Sequence, residues 1–170
     1  MQSNPQIERD ASPAWLRTLA RAPHLELLDG TKIDEVPYMN IATLRIEAEE
    51  PTLSALRAAL PSPADKHWRK GERGRNGSVH ALSGFNATIA EAPNPGALVS
   101  GIRNFLTQCK ERNLDFRGAR AAELSIGFTV GDSQQFVASL DLSSGDLSAL
   151  AACGMALSVT AYPTSDGANE

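Results

Sequence analysis

The chain has 170 residues, 42% of them apolar and 21% charged, with a formal net charge of -4 and two cysteines. That length and apolar content suit one compact domain with a full core and exclude wholesale disorder. The net charge excludes a general attraction to nucleic acid or anionic membranes, and two cysteines are too few for a disulfide framework.

The first 40 residues read as an extension. Ser12 and Pro13 form an N-cap and first helical position ahead of Trp15, Leu16 and Leu19, which share one face of a short amphipathic helix. Pro23, Asp29-Gly30 and Pro37 then break the chain repeatedly. Met1 to Asp10 is polar, without the apolar core of a secretory signal, and no later run has the apolar length of a membrane span. A reducing, cytoplasmic setting without membrane contact is the expectation.

From Ile41 to Ala48, apolar Ala42, Leu44, Ile46 and Ala48 alternate with Thr43, Arg45 and Glu47, the period of a strand buried on one face. Pro51 opens a helix through Leu53, Leu56 and Leu60, which Pro61 and Pro63 stop. Asn76-Gly77 predicts a two-residue type I′ hairpin turn between strands over 66–72 and 78–85. The longest helix is predicted over 95–113, with Leu98, Ile102, Phe105, Leu106 and Cys109 along one stripe.

A second hairpin follows: Leu124, Ile126, Phe128 and Val130 alternate, Gly131-Asp132 turns, and Phe136, Ala138 and Leu140 alternate again. Ser143 and Asp146 have capping-box spacing, Gly154 ends that helix, and Leu157, Val159 and Ala161 form a last strand. Residues after Pro163 are small and polar and are expected to fray. The order β-α-β-β-α-β-β-α-β over 41–163 predicts an α+β domain: a mostly antiparallel sheet with helices packed on one face, flanked by an N-terminal helical extension (1–40) and a disordered tail (164–170).

One cluster stands out. Residues 65–75 carry five of the sixteen basic residues, Lys66, Arg69, Lys70, Arg73 and Arg75, around Trp68. Arginine and tryptophan are enriched where binding energy concentrates, so Trp68, Arg69, Lys70, Arg73 and Arg75 are the candidate binding residues. The same run also suits a solvated strand edge whose inward tryptophan packs in the core while cations discourage edge pairing. Spacing alone does not separate these uses.

Other readings are weaker. Gly71, Gly74 and Gly77 lack the Lys and Ser/Thr of a phosphate loop, and a single aromatic is too few for single-stranded nucleic acid. His24, His67 and His80 have no partners at metal-ligand spacing, so neither metal nor cofactor is expected; His67 and His80 are placed to face each other across the hairpin. Ser78 or Ser83 with His80 would serve a hydrolase, but no nucleophile elbow is present. Glu47, Glu49 and Glu50 suit the positive end of a helix better than acid-base chemistry.

Three segments carry a family resemblance. They are Thr43-Leu-Arg-Ile-Glu47 with Trp68-Arg-Lys-Gly-Glu72, then Glu123-Leu-Ser-Ile-Gly127, and finally Leu147-Ser-Ala-Leu150 leading through Gly154 to Leu157-Ser-Val-Thr-Ala-Tyr-Pro163. In this order the chain resembles the bacterial family called domain of unknown function 4279. The glycine-rich Gly74 to Gly77 departs from the compact turn expected there. The resemblance implies an α+β fold in a bacterial cytoplasm; the family has no established activity and no agreed catalytic residues to carry over. Small families of this style resemble immunity proteins, which implies a non-enzymatic domain with a protein partner, a toxin among the candidates. An anion or small-ligand sensor using the same cations is the alternative.

Overall fold

The computed structural model describes residues 40–74, 77–131 and 135–163. The proposed N-terminal helix, the tail, Arg75, Asn76 and Asp132 lie outside the described residues.

Five strands form one sheet in the order β2-β3-β1-β4-β5. They are β1 (Asn40–Ala48), β2 (Lys66–Trp68), β3 (Ser83–Glu91), β4 (Ala121–Val130) and β5 (Ala156–Pro163), joined by α1 (Glu50–Ala59), α2 (Pro95–Glu111) and α3 (Ser144–Cys153). All pairs are antiparallel except β4 with β5. The fold is thus α+β and mostly antiparallel, as the patterning predicts.

Helix ends follow their local chemistry. Asn94 caps α2 by accepting from the Ala97 amide at 2.9 Å, with Pro95 just behind it. Ser143 and Asp146 close a capping box on α3, and Gly154 ends it at φ +77°, a conformation that costs glycine nothing. The core lies between helices and sheet: Leu44 and Ile46 of β1, Phe85 of β3, and Leu124 and Ile126 of β4 meet Leu53 of α1, Leu98, Ile102 and Phe105 of α2, and Leu150 of α3. The register sets Thr43, Arg45 and Glu47 beside Thr88, Asn86 and Gly84 on the opposite face, which carries no helix among the described residues.

Two expectations need correction. No strand forms over Phe136 to Leu140; Phe136 and Val137 are exposed there instead. A second hairpin would need a vacant edge of β4, and both are taken, by β1 and by β5. Gln135 instead anchors the chain inward, its side-chain amide donating to Asn40 Oδ1 at 3.1 Å and to the Thr129 carbonyl. The β4-α3-β5 crossover then returns the chain in the same direction, which makes that pair parallel.

The first hairpin differs in register. Lys66 pairs with Asn86 and Trp68 with Gly84, and Arg73 still bridges Val79 in the same register. The Gly74 amide donates to the Ser78 carbonyl at 2.7 Å, which leaves three loop residues instead of two, and Gly77 supplies the left-handed one at φ +80°. The strand expected over 66–72 also stops at Trp68, because a turn intervenes. The Glu72 amide donates to the Arg69 carbonyl at 3.0 Å while its carboxylate accepts from the Arg69 amide at 2.9 Å.

Candidate functional site

The basic cluster stands at the β2 edge and on the ribbon that prolongs it. A one-residue change in register transfers a side chain to the other face of a sheet. Paired with Gly84, Trp68 therefore lies on the face opposite the three described helices and not in the core between them and the sheet, yet it is only 6% exposed.

Three neighbours bury it. Gly84 provides the room: a Cβ there would come within 2.3 Å of the indole ring. The Arg45 guanidinium sits 5.1 Å from the ring centroid, in cation–π range, and is itself held by Glu47 at 2.5 Å. His80 stacks on the ring with centroids 5.1 Å apart and planes inclined by 27°. His80 thus faces Trp68, whereas His67 lies opposite Phe85, so the two histidines do not meet across the hairpin. Trp68 Nε1 is buried without a hydrogen-bond partner among the described residues.

From this base the ribbon rises. The Lys70 amide donates to Ser83 Oγ at 3.1 Å, the Gly71 amide to the His80 carbonyl at 2.8 Å, and the His80 amide to the Glu72 carbonyl at 2.9 Å. Arg69, Lys70 and Arg73 are exposed on it, with no ion pair to a carboxylate among the described residues. Arg75, the fifth candidate, lies outside them. The structure therefore brings Trp68, Arg69, Lys70 and Arg73 to one edge but divides their roles: the tryptophan is packed foundation and the cations are surface.

The chain matches no family model, no curated protein and no solved structure.

Two clefts lie elsewhere. One, of about 540 Å³, runs between α2 and α3 past Arg103, Lys110, Cys109, Asp146 and Cys153; the other, of about 570 Å³, is lined by Glu49, Thr52, Leu82 and Arg120. Ser83 and His80, the hydrolase candidates, line neither. Ser83 is buried, with its hydroxyl oxygen occupied by the Lys70 amide. Among the described residues no helix is long and apolar enough to cross a membrane, and no three His, Cys, Asp or Glu side chains cluster to hold a metal.

Alternation along β1 puts Arg45 on the outward side of its strand but does not join it to Trp68. The signal for that contact is Gly84, a glycine inside the strand predicted over 78–85, which marks close approach of another group.

Proposed function

We propose that this chain is a non-enzymatic protein-binding domain of the immunity or regulatory type in a bacterial cytoplasm, and that Arg69, Lys70 and Arg73 dock an acidic surface of its partner. One observation supports the reading: three exposed cations without internal carboxylate partners rise from a fixed aromatic base on a chain whose net charge is negative. A solvated edge alone would need no packed stack beneath it, whereas a presented surface gains affinity when its geometry is set beforehand. The immunity setting follows the resemblance to domain of unknown function 4279, a family-level analogy.

The test is affinity capture from a lysate of the chain's own cells, with the wild type and the double variant Arg69→Glu, Arg73→Glu side by side. The expected result is one stoichiometric protein that is lost from the variant and released by salt. Equal capture by both proteins, or no protein at all, overturns the reading. In the second case a thermal midpoint raised by nucleotides or acidic metabolites would favour the anion sensor instead.

A further inference from the structure

The two edges of the sheet are built differently. The β2 edge is three residues long and begins with Lys66, the usual protection against pairing with another chain. The β5 edge is eight residues long, Ala156-Leu-Ser-Val-Thr-Ala-Tyr-Pro163, carries no charge, and meets proline only at its last position. Among the described residues it has a neighbour strand on one side only.

The helix beside it shows the same bias. Residues 144–163 hold a single charged side chain, Asp146, where the chain's 21% charge content would place about four, and Arg103 neutralises that one. Apolar residues run all the way round α3, so it lacks the polar outer face of an ordinary surface helix. Leu147, Ala151 and Ala152 are nevertheless exposed.

The helical layer also stops short. Leu157 and Val159 share a face with Leu124 and Ile126, which are fully buried beneath the helices, yet are themselves 36% and 47% exposed. Side chains on the core face of a strand and half in water form a step with no helix above it among the described residues.

We infer that the β5 edge and the outer flank of α3 dock a second copy of this chain, the two β5 strands pairing antiparallel across a two-fold axis. A two-fold contact joins one patch to itself, so it must not repel its own copy; a strip without net charge meets that condition, and the cationic β2 edge does not. Antiparallel pairing about Val159 sets the two Val159 side chains together and Leu157 of one copy opposite Ala161 of the other, all on the helix side. The unfilled steps then close over one another, with Leu147 of each α3 at the junction. Charge depletion in the middle of a contact is the compositional mark of such interfaces.

Sedimentation equilibrium of the full chain at micromolar concentrations tests this, with Val159→Asp, Leu147→Asp and the double variant Arg69→Glu, Arg73→Glu alongside. The expected mass of the wild type is about 36 kDa, twice the 18.1 kDa chain. Both aspartate variants should sediment as monomers with unchanged circular dichroism, while the arginine variant stays dimeric. Leu147→Asp decides the matter if Val159→Asp fails to fold. A monomeric wild type overturns the inference, as does a dimer that survives Leu147→Asp or that is lost only in the arginine variant.

Discussion

Arg103 of α2 forks the carboxylate of Asp146 in the first turn of α3: Nε lies 3.1 Å from both oxygens and Nη2 lies 2.9 Å from Oδ2. The same carboxylate accepts from the Ser143 amide at 2.7 Å and from the Ser143 hydroxyl at 2.8 Å. One residue therefore caps α3 and ties it to α2. These donors, Arg103 foremost and then Ser143, hold the Asp146 carboxyl well below the usual carboxylate range.

The sign of the linkage follows. A carboxyl harder to protonate in the folded chain stabilises it above the ordinary value of 3.8, and that contribution is lost as the pH falls below it. Urea midpoints should drop between about pH 5 and about pH 2. Asp146→Ala should cost about 1–2 kcal/mol at neutral pH and should flatten that part of the profile. A variant with an unchanged midpoint and profile would show that the fork contributes nothing to stability.

Gly84→Ala tests the foundation of the basic edge. The new methyl would fall 2.3 Å from the Trp68 ring and 2.6 Å from the Ile46 carbonyl oxygen, one a side chain fixed by its stack and the other the backbone of the central strand. Neither can yield cheaply. A loss of about 1–3 kcal/mol is expected, with Trp68 emission shifted to the red as the ring moves toward water. Denaturation followed by fluorescence in a Trp15→Phe background reads both effects from one chromophore.

Most of the fold was legible because the signals were local. The alternation of Leu44 and Ile46, the Ser143 and Asp146 box, Asn94-Pro95 and Gly154 each specify an element through contacts within a few residues. What escaped depended on partners distant in sequence. Whether Phe136 to Leu140 becomes a strand is decided by which edge of β4 is vacant, and β5, some twenty residues later, takes it. Trp68 stands out in the sequence, but alternation leaves it either to the core or to a partner. A two-residue Asn76-Gly77 turn would have set Trp68 against Phe85 and so in the core; the three-residue loop sets it against Gly84, on the other face. No pattern in the hairpin itself distinguishes those two registers.

The thiols of Cys109 and Cys153 lie together in the floor of the α2–α3 cleft, and both residues are buried. Burial, reinforced by Cys153, pushes the Cys109 thiol up to about 12, and burial raises Cys153 as well. At mildly alkaline pH neither holds much thiolate, the form that reacts. Native protein should therefore resist iodoacetamide and aromatic disulfide reagents, and denatured protein should titrate both thiols at once. Rapid labelling in the native state would show that the cleft opens to the solvent.

Arg45 and the ribbon arginines should separate folding from binding. Arg69 and Arg73 make no side-chain hydrogen bond or ion pair among the described residues, so reversing their charge leaves nothing buried without a partner. Their stability change should stay within about 0.5 kcal/mol. Arg45→Ala, by contrast, removes the cation over Trp68 and the Glu47 pair, and should cost about 0.5–1 kcal/mol even though the side chain is half exposed. Urea midpoints of Arg45→Ala and of the Arg69→Glu, Arg73→Glu double variant, measured side by side, check the difference. A double variant as unstable as Arg45→Ala would mean that the cations hold the ribbon in place, and any binding lost with them would then report a disordered hairpin.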